Sequence, residues 1–385
     1  MKALRLTTAM IVACALFLAW APSRASAKTI QVHEGDSIQA AVDAAAPGDT
    51  VKVDPGDYLG MPAGTGSAAV RITKPLKLIA KSKISKGTRV RIMPGAGNSH
   101  GILVEPENEG DPDIDGLMIK GFTVQGFPNN GIWLRHVKNF KIQGNESIDN
   151  LENGIWPTLS ANGQVKKNVS YGSQDSALWV EASENVRVLK NDLHHSPTGL
   201  EITVSKDIQA KKNEIHHNTV GVGLYHPNAA GLPIQSFGLG NWEIVKNNVH
   251  DNNDPNSAPP GSMSAGLPSG GGILVLGVDN VTVEKNTIDN NDFFGVAVVD
   301  YCFGVAGSDF DCSTNPPIIE SAPDDNLIAK NELGVNGNNP PMGVLGAFAA
   351  DLTLIPGTPA GMNNCFEDNT PGAFAILLPP GSQCM

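Results

Sequence analysis

Cations, aromatic residues and long apolar runs are all scarce in this chain, and each shortage removes a class of protein. Lysine and arginine number 27 against 39 aspartates and glutamates, a net charge of −12 over 385 residues. Binding nucleic acid or an anionic membrane surface needs clustered cations, so neither is an expected partner. A polyanionic substrate is disfavoured too, unless calcium or a local basic patch intervenes. Charged residues of both signs reach only 17% and aromatics 5%, which argues against long amphipathic helices. Beyond the N-terminus no apolar stretch approaches the ~20 residues that span a bilayer as a helix, so the chain is not expected to be an integral membrane protein.

Glycine (42) and proline (27) are plentiful, as in chains of many short strands and turns. The N-terminus reads as a signal peptide over 1–27. Lys2 and Arg5 provide a positive start, Ala9 to Trp20 a short apolar run, and Ala25-Ser26-Ala27 a small-residue cleavage site. A lipoprotein signal at Ile11-Val12-Ala13-Cys14 competes, but the apolar run continues past Cys14. Residues 28–385 are expected to form a single domain in the periplasm or outside the cell. Cys302, Cys312, Cys365 and Cys384 then remain, an even number that suggests disulfides. Of three connectivities, Cys302–Cys312 with Cys365–Cys384 is favoured, because each pair brackets a local loop. No close cysteine pair has zinc-ligand spacing.

A repeat organises what is present. Segments open at Gly131, Gly154, Ala177, Gly199, Gly221, Gly272 and Gly295, the first four steps being 23, 23, 22 and 22 residues. Asparagines run in parallel at Asn145, Asn168, Asn191, Asn213, Asn247, Asn286 and Asn331, most of them after a lysine. Apolar residues alternate after each marker (Ile132/Leu134, Leu178/Val180, Leu200/Ile202, Ile273/Val275), the period of a strand with those residues inward. A second short strand precedes each asparagine and a third follows it. Three strands per 22 or 23 residues make one coil of an all-β, right-handed parallel β-helix, a solenoid of roughly ten coils stacked about 4.8 Å apart. The asparagines are expected to stack into a ladder. Asp36-Ser37-Ile38-Gln39 starts a short N-terminal capping helix, with Asp36 as its cap.

The stretch DSIQAAVDAAAPGDTVKVDPGDY and the repeated K-N-x-[IVL]-x-x-N corner resemble the pectin-lyase-like superfamily of right-handed parallel β-helix proteins. Residues 177–301 more closely resemble an uncharacterised family of exported bacterial β-helix repeat proteins. That resemblance implies an envelope or extracellular setting and supplies no reaction. The Asp-Pro-His-Asp motif of alginate epimerases is absent, as are the Gly-His-Gly and Arg-Ile-Lys motifs of polygalacturonases.

The regular spacing is interrupted near 227–241, 254–271 and 302–325. All three insertions abut the first strand of a coil, so they are expected to wall a groove over Glu201, Tyr225, His226 and Leu276, the alternative being drift at tolerant corners. Outward on the same face come Trp133, Trp156 and Trp179, with Arg135 nearby, as candidate glycan-binding residues; the alternatives are a covered surface or simple stiffening of the sheet. For chemistry, Tyr225 and His226 are candidates for the proton abstraction of a lyase or epimerase, with Arg135 or Lys206 to neutralise a uronate carboxylate. Glu181 and Glu201 are candidates for a glycosidase pair. His194, His216 and His250 should align in a column, suited to copper or zinc if it is not polar filler; no metal ligand set is assigned. Six carboxylates between Glu105 and Asp115 make calcium the cofactor to consider, against a solvated acidic loop. The expected function is binding or acting on a polysaccharide along the first-strand face. The alternative is a non-catalytic envelope scaffold or accessory protein, akin to the NosD-type β-helix accessory proteins of copper enzymes.

Overall fold

The computed structural model describes residues 26–60, 67–82, 87–355, 357, 361–370 and 376–377; most of the expected signal peptide lies outside them. Short strands assemble into three wholly parallel sheets of 11, 12 and 10 strands, the three faces of a parallel β-helix. Face 1 carries the strand that opens each coil, such as Ser176–Glu181, Thr198–Thr203 and Val220–Tyr225. Face 2 follows (Glu184–Leu189, Lys206–Lys211, Gly240–Val245), then face 3 (Asp192–His194, Glu214–His216, Asn248–His250). Register is strict: Ile155 pairs with Leu178, then Leu200, Val222, Ile273 and Val296 in successive coils. These aliphatics are wholly buried, each stabilising the fold by roughly 1.5–3 kcal/mol relative to exposure. No helix among the described residues is long and apolar enough to cross a membrane.

Between faces 2 and 3 the chain turns through a left-handed residue. Lys167, Lys190, Lys212, Lys246, Lys285 and Lys330 all have φ between +53° and +58°, unfavourable for a residue with a Cβ. The asparagine that follows each of them compensates. Asn191 Nδ2 donates to Val165 O (3.0 Å) and to Asn213 Oδ1 (3.0 Å). Its Oδ1 accepts from the N–H of Asn168 (3.0 Å) and from Asn168 Nδ2 (3.0 Å). The same pattern runs from Asn145 to Asn331 and on to Asn369.

Two further ladders were not anticipated from the sequence. Asn218, Asn252, Asn291 and Asn336 stack at the corner between faces 3 and 1. Ser160, Ser183 and Ser205 do so between faces 1 and 2. The capping helix, α1 (Ile38–Ala44), buries Ile38 and Val42 over the end of the solenoid. Its N-cap is Ser37, whose Oγ accepts from the Ala40 N–H (3.1 Å), and not Asp36, which accepts from the His33 N–H one turn earlier.

Replacing Asn191 with Ala leaves backbone groups of Asn168 and Val165 unpaired inside the corner. The urea midpoint is expected to fall by the equivalent of about 2–4 kcal/mol, whereas exposed Arg187→Ala should stay within ~0.5 kcal/mol. Matching, small effects would show that the ladder does not stabilise the fold.

Candidate functional site

The insertions sit where the repeat spacing puts them, as loops 226–239, 251–270 and 300–326. They fold down onto face 1. Leu267, Leu274, Leu276, Phe293, Phe294 and Val299 form a second apolar cluster outside the helix, around a cavity of about 580 Å³. A fourth loop, 334–349, not foreseen from the sequence, adds Phe348. The Cys302–Cys312 disulfide closes the third loop. Cys365 is also disulfide-bonded, and Cys384 lies outside the described residues.

Of the groove expected over Glu201, Tyr225, His226 and Leu276, the cavity keeps the part over Leu276, whereas Tyr225 and His226 are buried rather than at a rim. Tyr225 folds its ring back over Gly223, where an added Cβ would lie 2.2 Å from the phenol and would force the ring to move. Its hydroxyl lies 3.3 Å from Thr198 Oγ1. Burial, then the Glu201 charge, pushes its pKa well above the usual value, so it is no base at neutral pH. His226 Nδ1 accepts from the Asn228 N–H (3.1 Å), which leaves Nε2 to donate to Glu320 O (3.1 Å). Its ring stacks on Tyr301 at 4.4 Å. Burial lowers its pKa to about 4. With both nitrogens engaged and the ring neutral, His226 pins two loops together.

Trp133, Trp156 and Trp179 do stack, half-buried on the outside of face 1. Their centroids are 4.8 and 5.0 Å apart with planes 5° from parallel. Each indole therefore covers its neighbour's face, and the ladder turns ring edges outward instead of the flat faces a sugar would stack on. At one end lie His100, 5.0 Å away, and the Arg135 guanidinium, 5.2 Å from the Trp133 ring. Arg135 also pairs with Glu105 (3.4 Å), which pairs in turn with Arg71 (3.2 Å). At the other end Trp179 pairs in register with Glu201.

Here the ladder meets a group of carboxylates. Glu181 Oε1 accepts from the Gly231 and Leu232 N–H groups of the first loop (2.9 and 3.1 Å). Its other oxygen, Oε2, is buried without a hydrogen bond of good geometry, and the Trp156 side chain interacts with this carboxyl and opposes the rise in its pKa. Glu201 Oε2 accepts from Ser176 Oγ (2.5 Å). Asp175, in the turn before Ser176, accepts from Ser264 Oγ of the second loop (2.5 Å). Glu152 accepts from Asn130 Nδ2 (2.9 Å). Burial raises all four pKa values. Asp175 adds repulsion to each of the others. Glu181 reaches about 7, with the Gly231 and Leu232 amides opposing the shift. Such a group can hold a proton at neutral pH and release it during a reaction. Asp175 and Glu152 are half-buried and touch the surface; Glu181 and Glu201 lie behind them. Neither Asp175 nor Glu152 was singled out from the sequence, because both sit in turns outside the regular strand pattern.

The acidic stretch 105–115 does not converge on one point. Glu105 and Glu107 pair with Arg71, Asp113 with Lys138, and Asp115 accepts from Asn139, so it offers no calcium cage. Lys206 opens a face 2 strand, away from this group. The histidine column forms as expected, on face 3: His194, His216 and His250 stack 4.9 and 5.3 Å apart.

A three-faced solenoid with a loop-covered acidic patch beside an aromatic ladder defines the class. Residues 100–253 match the sequence family described as right handed beta helix region, and the chain is a right-handed parallel β-helix protein. Among solved structures it is similar to the A-module of the mannuronan C-5 epimerase AlgE4 of Azotobacter vinelandii (TM-score 0.65, 16% identity, 90% of this chain and 94% of that one). It is also similar to the DFA-IIIase of Arthrobacter chlorophenolicus A6 without its lid (TM-score 0.55, 14% identity, 94% and 90%). No curated protein matches. At these identities the likeness is one of fold.

Because folding raises the Glu181 pKa from 4.5 to about 7, the native state holds this proton more tightly than the unfolded chain. The resulting stability is fully present below pH ~4.5 and is lost as pH rises through ~7, on the order of 3 kcal/mol. Glu181→Gln should flatten that part of the stability–pH curve between pH 4.5 and 7; an unchanged slope in urea titrations would mean the carboxyl is not held protonated.

Proposed function

We propose that this is an exported protein, periplasmic or secreted, that binds a neutral glycan beside Trp133, Trp156 and Trp179 and cleaves it with the neighbouring carboxylates. The observation that carries the reading is the group Glu152, Asp175, Glu181 and Glu201, all raised in pKa, where the aromatic ladder ends. Glycoside cleavage needs one carboxyl to donate a proton and a second, ionised or ionisable, across the bond. Glu181, with a pKa near neutrality, one oxygen anchored by the first loop and the Trp156 side chain interacting with the carboxyl, suits the donor. Asp175, half-buried and held by Ser264 of the second loop, suits its counterpart. The first loop rests on Glu181 through two N–H groups and must lift for substrate to reach it. The indole edges then line the approach.

A neutral sugar is favoured over a uronate. Removing the proton beside a uronate carboxylate requires a cation to offset that charge. Arg71 and Arg135, the guanidinium groups on this face, are already paired with Glu105, so among the described residues no cation is left free there to offset a uronate charge. The neighbours' names, a mannuronan C-5 epimerase and a DFA-IIIase, support a carbohydrate-related role without choosing the sugar.

The test is an oligosaccharide panel, neutral and uronate, scored for binding and for new reducing ends. Cleavage of a neutral glycan should fall at least ~100-fold in Asp175→Asn and Glu181→Gln, with KM little changed. Trp156→Ala should instead weaken binding about 10-fold. Binding without cleavage by the unaltered chain would reduce the protein to a non-catalytic scaffold, and no binding at all would end the glycan reading.

A further inference from the structure

Face 3 carries a second cluster, remote from the carboxylates and independent of the glycan reading. Its strands end in Asp192-Leu193-His194 and Glu214-Ile215-His216, and register places Asp192 beside Glu214 and His194 beside His216. Alternation turns Leu193 and Ile215 into the core and sends the flanking polar residues outward. One ligand atom each from Asp192, His194 and His216 lies within 4.8 Å of the other two. The His216 Nε2–Asp192 Oδ1 distance is 3.1 Å.

The rings are held in place before any ligand arrives. Tyr171 stacks on His194 at 4.6 Å, and His194 on His216 at 4.9 Å. His195 and His217 follow in the left-handed conformation, each with φ of +52°, which swings their rings across their predecessors at 79° and 87°. The Nδ1 atoms then meet at 2.6 Å in one coil and 2.7 Å in the next. With Nδ1 engaged by a second imidazole, Nε2 is the nitrogen left to ligate, since the hydrogen bond made by one ring nitrogen fixes which one faces a metal. The third histidine of the column is different. His250 has both nitrogens in contact with carboxylates, Glu214 at 2.7 Å and Asp251 at 2.6 Å, which singles out the pair below it.

We propose that Asp192, His194 and His216 bind a divalent late first-row transition-metal ion, Zn²⁺ or, more tightly, Cu²⁺. Two imidazoles and one carboxylate are the donors these ions prefer, and calcium and magnesium prefer oxygen alone. Bonds of about 2.0–2.2 Å bring two donors to within roughly 4 Å of each other, so side-chain shifts under ~1 Å close the site. Asp192 and His216 keep 44% and 20% of their side-chain surface exposed, so an ion reaches them without unfolding, and water completes its shell.

The test uses the untagged, chelator-treated chain, titrated calorimetrically with Cu²⁺, Zn²⁺ and Ca²⁺. One Cu²⁺ or Zn²⁺ per chain is expected, with nitrogen hyperfine splitting from two imidazoles in the Cu²⁺ spin-resonance spectrum. His194→Ala and His216→Ala should each weaken binding at least 10-fold, and Asp192→Asn severalfold. His33→Ala, at a histidine paired with Asp54 near the N-terminal helix, should change nothing. His194→Gln and His216→Gln serve if the alanine variants lose their circular dichroism. Unaltered affinity in a double histidine variant that remains folded, or tighter Ca²⁺ than Zn²⁺ binding, would overturn the site.

Discussion

The structure depends on hydrogen bonding between equivalent residues of successive coils. Each buried ladder asparagine joins its own turn to the coils on either side. A one-residue slip would break these bonds in every coil and send the inward aliphatics outward. The ladder also makes the left-handed lysines tolerable, since a strained backbone persists only where its surroundings over-determine it. The turn, the register and the core thus stand or fall together, as expected of a solenoid stabilised by nearest-neighbour contacts.

Stacking has the same effect on whatever faces outward. It converts Trp133, Trp156 and Trp179 into a column and His194, His216 and His250 into another, although neighbours in a column lie 22 to 34 residues apart in the chain. The two columns differ in what caps them. The tryptophans lead to buried acids beneath loops that bring their own backbone N–H groups to Glu181. The histidines lie half-exposed on face 3, beside carboxylates of the same strands. Carboxyls whose pKa values are raised by burial suit the first cluster to proton transfer, and mixed nitrogen and oxygen donors suit the second to a metal ion.

Some of this was legible before any coordinates. The marker spacing, the Lys-Asn corners and the period-two apolar pattern imply coils, register and inward residues, and the histidine column follows by counting. The insertions could be placed at the ends of the first strand by the same arithmetic. What they do there could not. Whether a loop rises as a wall or folds down depends on apolar contacts such as Phe293, Phe294 and Leu267 meeting across the chain, and no local pattern encodes that encounter. Asp175 escaped notice for the same reason: a turn aspartate looks ordinary until Ser264, 89 residues away, is found donating to it.

The repeat alone determined the solenoid, because strand alternation and corner chemistry are local properties reproduced in each coil. Tertiary structure alone decided which outward residues are reactive, because the pKa of Glu181 and the stacking that leaves only indole edges exposed depend on what covers a side chain. Cover here is supplied by non-repeating loops, whose final positions are set by long-range packing.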